Sequence, residues 1–292
     1  MSVDYRYVGR DAASQKKAVE LLKRCFEEWH FFESRFGTRF PFIEESFMAF
    51  DAGGNALGHA GIMPFDISNG NGGCWKVAGI ASVGVAPEAR KQGIADRLCK
   101  NAGAWAAENG FDLMLLYTAA GRVYEKSGFQ RVMTPACSLL KRDVPAAGGE
   151  WKNSAVLTPC EKALIKELYN NADKPAGRVI RRENEEFFHS WHWYFTWDYN
   201  QWRVAGNSYA LLTGGVLSEI CGDPDEYPVL LEGVDKAFIS DSDPAYKLLQ
   251  KNGFTASNAP ADLPECWHGE CAMQKFLTIK EQNLFFPLAD KF

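Results

Sequence analysis

Val83-Gly84-Val85-Ala86-Pro87-Glu88-Ala89-Arg90-Lys91-Gln92-Gly93-Ile94-Ala95 is the stretch that decides the fold. An apolar strand turns through a basic loop of small residues directly into the amphipathic run 96–108. At such a turn the first N–H groups of the helix lack intrahelical acceptors, and the helix dipole adds partial positive charge where they point. Gly93 and Ala95 keep side-chain bulk away from an approaching phosphate, while Arg90 and Lys91 place charge at the rim. The pattern predicts a loop that grips a pyrophosphate through its backbone. It has neither the Gly-x-x-x-x-Gly-Lys-Ser/Thr nor the Gly-x-Gly-x-x-Gly spacing, so both common nucleotide-binding readings fall.

Beyond the helix, Phe111-Asp-Leu-Met-Leu-Leu-Tyr117 has the apolar run of a buried strand, followed by Gly121-Arg-Val-Tyr124-Glu-Lys-Ser-Gly128-Phe129. The loop resembles the acetyl-CoA loop of the GNAT superfamily of N-acetyltransferases, whose pattern Arg/Gln-x-x-Gly-x-Gly/Ala is met by Arg90, Gly93 and Ala95. The later segment is similar to the superfamily's Tyr-Glu-Lys-x-Gly-Phe, in the same order and at the same spacing.

This resemblance implies an α/β fold built on a mixed sheet, with acetyl-CoA as cosubstrate at Val83, Val85, Arg90, Lys91, Gln92, Gly93, Ile94 and Ala95. It implies that the strand 82–85 lends backbone groups to the thioester carbonyl and the pantetheine, Val83 and Val85 being nominated. It also implies that Tyr124 acts as general acid toward the departing thiolate, since a tyrosine of ordinary pKa, about 10, holds its proton at neutral pH. A tyrosine that merely packs against the cofactor is the plainer alternative. The sequence departs from the superfamily in two places. The strand 75–85 has no carboxylate, and Thr118-Ala-Ala-Gly121 stands where an Asn is common. Asp66, Glu28, Glu44, Glu45 and the terminal carboxylate of Phe292 remain open as proton acceptors, and none is selected.

The 292 residues suffice for two ordinary domains, and 46% hydrophobic with 24% charged residues is a globular composition. Neither a signal peptide nor a run of ~20 apolar residues is present, which predicts a cytoplasmic protein with no membrane partner. The net charge of −5 argues against nucleic acid and fits a cationic amine. Eight cysteines, mostly isolated, do not form a disulfide framework. His189-x-x-His192 and Cys266-x-His268-x-x-Cys271 each lack a full ligand set, so no metal is assigned.

The order of elements to about residue 142 predicts one complete unit, residues 1–142. It begins with a strand at 4–8 and a helix at 14–32, continues with a hairpin around Asp51-Ala-Gly-Gly-Asn55, and ends with the strand-loop-helix-strand. Asp143-Val-Pro-Ala-Ala-Gly-Gly149 reads as a linker. Residues 150–292 then look like a degenerate copy. A hairpin turns at Gly206-Asn207, and Tyr246-Lys-Leu-Leu-Gln-Lys-Asn-Gly253-Phe254 resembles the Tyr124 segment, although its Tyr lies farther from its Gly-Phe. The matching loop, after Leu217-Ser-Glu-Ile-Cys-Gly-Asp-Pro224, carries Asp223, Asp225 and Glu226 where cations are needed. The aromatic block 187–202 reads either as packed core or as a cradle for a cationic acceptor. The resulting expectation is transfer of acetyl to a small-molecule primary amine, with a homodimer as an option. A non-catalytic acyl-CoA sensor or scaffold is the alternative.

Overall fold

The structure, a computed structural model, describes residues 2–26, 45–118, 120–131, 137–143, 150–183, 189–197, 199–241, 243–257, 271–280 and 284. Its first half opens with β1 (Asp4–Tyr7) and α1 (Ala12–Cys25), the helix being started by the Asp11 carboxylate, which accepts the Ser14 N–H at 2.8 Å. Then come β2 (Glu45–Phe50), β3 (Ala56–Ser68), β4 (Cys74–Val85), α2 (Ile94–Glu108), β5 (Leu113–Thr118), the short α3 (Gly121–Glu125) and β6 (Gln130–Arg131). The expected hairpin, strand, loop and helix all form, and the second strand of the hairpin runs on to Ser68.

α1 and α2 cover opposite faces of this sheet. Gly58 and Gly84 lie at neighbouring register positions of β3 and β4 and so face opposite ways. A Cβ on Gly58 would sit 2.6 Å from Ile94 of α2, and one on Gly84 would sit 2.9 Å from Leu22 of α1. Glycine at these two positions lets each helix lie close on the backbone. The α2 side buries Phe47, Ala60, Ile62, Ile80, Leu98, Met114 and Leu116 in one continuous core.

The chain continues with β7 (Cys137–Lys141), and after the segment 143–149 with α4 (Pro159–Asn171), β8 (Val179–Ile180), α5 (Trp191–Thr196), β9 (Asn200–Ala205), β10 (Ser208–Thr213), β11 (Val216–Cys221), α6 (Tyr227–Leu230), β12 (Lys236–Ser240), α7 (Pro244–Lys251), β13 (Thr255–Ser257) and β14 (Cys271–Phe276). The first sheet has the order β1-β2-β3-β4-β5-β14-β6, with β8 beside β3; the second runs β9-β10-β11-β12-β7-β13. Position by position the second repeats the first from β2 onward. Each contains a parallel pair at the matching place, β4 with β5 and β11 with β12.

The repeat reveals an exchange that crosses the expected linker in both directions. β7, which follows β6 in the chain, pairs with β12 and β13 of the second sheet, where Leu140 is fully buried. β14 fills the vacated place between β5 and β6, where Met273 enters the first core. Each sheet is therefore closed by a strand that lies, in sequence, on the other side of the segment 143–149.

Candidate functional site

The site begins as a defect in β4. Across the hairpin His59 pairs with Gly84 and Gly61 with Ala81, so one extra residue of β4 bulges out around Ser82 and Val83. Ser82 adopts φ 53°, a left-handed conformation that L-residues rarely adopt. On the other edge β4 pairs in parallel with β5 at Val77–Leu113, Ala78–Met114 and Gly79–Leu115, and the register stops there. β4 nevertheless continues to Val85 and β5 to Thr118, which leaves a wedge between them beyond Gly79. Val83 and Val85 lie along this wedge. The Val85 carbonyl already accepts the Arg90 Nε–H at 3.2 Å and the Cys25 thiol at 3.4 Å, tying the loop back to the strand.

The loop continues through a 3-10 turn, Pro87–Ala89, to Lys91 at φ 64° and Gly93 at φ 77°. Gly93 is the N-cap of α2, and no side chain caps that end. The first-turn N–H groups are therefore not taken by a capping side chain, as an anion-binding helix start requires. A Cβ on Gly93 would meet nothing within 4 Å. What glycine supplies here is the positive φ together with open space in front of the helix. Arg90, Lys91 and Gln92 are exposed, Ala95 is half-buried, and the Ile94 side chain belongs to the core, so Ile94 offers only its backbone. Arg24 pairs with Glu88 at 2.7 Å and links the end of α1 to the loop; the pair is exposed, so solvent screens it.

The Tyr124 segment is tied to this helix start. Asp96 in the first turn of α2 accepts Lys100 Nζ and the Ser127 hydroxyl, each at 2.8 Å, and these contacts hold its carboxyl below the usual carboxylate range. Tyr124 packs edge-on against Phe129 with ring centres 6.1 Å apart. Burial, with a smaller contribution from Cys99, pushes its hydroxyl above the ordinary tyrosine range, so the group stays protonated. Its hydroxyl meets that of Thr118, whose oxygen also accepts the Ala120 N–H at 2.9 Å. Thr118 thus provides a polar contact at the place where the family pattern has Asn.

The candidate proton acceptors divide. Asp66 is held by Arg182, and Glu45 by the Tyr7 hydroxyl on the outer strands. Glu28, Glu44 and Phe292 lie outside the described residues, as do Cys266 and His268. Of the aromatic block, Phe187, Phe188 and Asp198 lie outside the described residues, Tyr199 is exposed, and the rings of α5 and Trp202 pack. Trp191, Tyr194 and Phe195 of α5 form a core with Tyr169, Trp202 and Tyr209, and the cation over Tyr194, at 4.0 Å, is the chain's own Arg181. Sequence reasoning missed two contributors. One is β14, which flanks β5; the other is His59, which reaches the bulge.

A bulged strand thus opens beside its parallel neighbour and leads into an uncapped, glycine-started helix. Residues 6–132 match the acetyltransferase (GNAT) domain family. The match covers the first half only, and the second half repeats its strand order. Among solved structures it is similar to a GCN5-related N-acetyltransferase from Anabaena variabilis (17% identity, 94% of this chain and 73% of that one, TM-score 0.59). It is also similar to Eis1 from Mycobacterium abscessus (14%, 95% and 74%, 0.59) and to a GCN5-related N-acetyltransferase from Kribbella flavida (16%, 94% and 72%, 0.58). At these identities the likeness concerns the fold. No curated protein matches the chain in sequence. Among the described residues no helix is long and apolar enough to cross a membrane.

Proposed function

We propose that the protein transfers an acetyl group from acetyl-CoA to a primary amine of a small molecule, by direct attack on the thioester. The observation that carries this reading is the wedge between β4 and β5, which ends at the uncapped start of α2. The pyrophosphate would lie on the first-turn N–H groups of α2 beside Arg90, Lys91 and Gln92, with Gly93, Ile94 and Ala95 giving backbone contact. The pantetheine would run along β4 as an added strand, and the Val83 N–H would meet the thioester carbonyl, where negative charge develops during attack. Attack by the neutral amine gives a tetrahedral oxyanion. Its collapse breaks the C–S bond, Tyr124 donates its proton to the leaving sulfur, and the extra proton on the acylated nitrogen passes to water, from which Tyr124 is reprotonated.

The acceptor amine enters as an alkylammonium with a pKa of about 10 and must lose a proton before attack. Asp66 and Glu45 are held by other partners, which favours proton loss to water over loss to either carboxylate. Calorimetry of acetyl-CoA binding to the wild type and to Gly93→Glu tests the reading. The variant places a carboxylate and a strained φ at the helix start, so binding should be lost. If the wild type does not bind acetyl-CoA, the reading fails. A thiol-release screen over small amines then identifies the acceptor.

A further inference from the structure

A chain of hydrogen bonds runs through the first core and ends on the bulge of β4. Gln15 Nε2 of α1 lies 3.1 Å from the Ser46 hydroxyl on β2, and that hydroxyl lies 3.1 Å from His59 Nε2 on β3. His59 Nδ1 then lies 2.8 Å from the carbonyl oxygen of Ser82. Ser46 and His59 are both fully buried.

The direction of every proton in this chain is fixed. A carbonyl oxygen only accepts, so Nδ1 must carry a hydrogen. Burial pulls the imidazole down to a pKa of about 4, so the ring is neutral and Nε2 is left with a lone pair. The Ser46 hydroxyl must then donate to Nε2, and its oxygen accepts from the Gln15 amide, which also donates to the Gly9 carbonyl at 3.1 Å. One tautomer satisfies each of these contacts.

The group at the end of the chain belongs to the strained residue. The extra residue of a bulge is left out of the strand ladder, and Ser82 in addition holds its left-handed φ. Because the peptide unit is planar and trans, the Ser82 C=O and the Val83 N–H point in opposite directions. A carbonyl held toward His59, on the β3 side, turns the Val83 N–H away from β3 and toward the wedge.

We infer that His59 is a positioning residue that locks the 82–83 peptide so that the Val83 N–H faces the slot. This rests on the acetyl-CoA reading of that slot for its catalytic consequence, but the lock itself is a property of the free protein. The chemistry it serves is the thioester carbonyl, whose oxygen gains charge in the tetrahedral intermediate and needs a donor already aimed at it.

Two amide substitutions separate positioning from mere packing. In His59→Asn the side-chain amide N–H overlays Nδ1 and still reaches the Ser82 carbonyl. In His59→Gln the amide reaches toward Ser46 and gives up that bond. Both bury one amide, so thermal melts should report similar folding costs. Histidine nitrogen shifts should show a protonated Nδ1 and a bare Nε2 in the wild type. The Val83 amide resonance should move in His59→Gln and stay in place in His59→Asn, with or without acetyl-CoA. With acetyl-CoA and a working acceptor, His59→Gln should lower kcat roughly tenfold with little change in the KM for acetyl-CoA, and His59→Asn should restore turnover. The opposite tautomer, an unmoved Val83 resonance in the Gln variant, or equal turnover in the two variants overturns the inference. A wild type that fails to bind acetyl-CoA, with the Val83 shift as expected, overturns the cofactor reading and leaves the lock standing.

Discussion

The two halves build the same wedge and fill it differently. In the first, β4 and β5 part beyond Gly79, and the helix that follows β4 starts without a capping side chain. In the second, β11 bulges between Leu217 and Glu219, and its parallel pairing with β12 is limited to Leu217–Ala237. Beside this bulge stand the chain's own charges. Arg178 reaches Glu219 of β11 at 3.1 Å and Asp243, at the start of α7, at 3.8 Å, while the Tyr194 and Tyr209 hydroxyls donate to Glu219 at 2.7 and 3.0 Å. At the loop, Glu226 accepts the Asn207 N–H and the Ser208 hydroxyl, and Asp223 accepts the Asp225 N–H. The first wedge ends at helix N–H groups that no side chain caps, and the second lies beside carboxylates of its own chain. A shared topology therefore does not imply a shared site.

The comparison breaks most severely if either half works alone. A fragment ending at residue 142 lacks β14 and carries β7 without its partners, so β5 and β6 lose the strand between them. Such a fragment should yield no folded protein and no acetyl-CoA binding, as read by circular dichroism and calorimetry. A soluble, cooperative fragment that binds acetyl-CoA would show that the exchanged strands are dispensable.

Arg178→Met is next in size. It removes the cation and leaves Glu219 and Asp243 in a site where all three side chains are almost completely buried. The expected loss is about 3–5 kcal/mol, measured by denaturant unfolding, with acetyl-CoA affinity per folded molecule unchanged. Adding Glu219→Gln should recover part of the loss, since one stranded charge is removed. A change in acetyl-CoA affinity would instead place Arg178 in the working site.

How much of this was legible from the sequence follows the range of each interaction. The loop 83–95 and the Tyr124 segment are local patterns, and the first takes the predicted strand-turn-helix conformation. The strand exchange was hidden because β7 and β14 read alike, Cys-Ser-Leu-Leu-Lys and Cys-Ala-Met-Gln-Lys-Phe, and nothing local says which sheet each will join. Trp191 and Tyr194 were ambiguous for the opposite reason. Stacked rings suit a cation from anywhere, and Arg181, only ten residues upstream of Trp191, supplies it. His59 gave no signal because a single histidine in a Gly- and Ala-rich strand is indistinguishable from a core residue until its partners are known.

Acid should act on the first half through that histidine. The folded pKa of about 4 lies below the ordinary 6.5, so the unfolded chain takes up a proton there before the folded one does. The stability of neutral His59 is complete above about pH 6.5 and is lost as pH falls toward 4, by about 3 kcal/mol in all. Burial lowers His189 in the same direction. Unfolding free energies across this window should fall with pH in the wild type, and the slope should lessen by about one proton in His59→Asn. An unchanged slope would show that His59 is already charged in the fold.

The smallest effect is the sharpest test of the comparison, because it changes one oxygen in each half. Tyr124 and Tyr246 stand in similar segments, Tyr246 lying farther ahead of its Gly-Phe than Tyr124, with Phe129 and Phe254 both buried in their respective cores. Only Tyr124 stands beside an open wedge, with Thr118 on its hydroxyl and Ser127 tying its segment to the start of α2. Tyr124→Phe should therefore lower kcat roughly 10²-fold while acetyl-CoA binding is kept, since the proton for the thiolate is lost and the ring is not. Tyr246→Phe should leave both unchanged. A leaving group that does not need protonation, such as a thiol of lower pKa in an acyl-thioester analogue, should narrow the Tyr124→Phe defect. If the defect does not narrow, the Tyr124 hydroxyl orients the cofactor and is not its acid; if Tyr246→Phe shows the same loss, the second wedge takes part in the chemistry despite the charges that fill it.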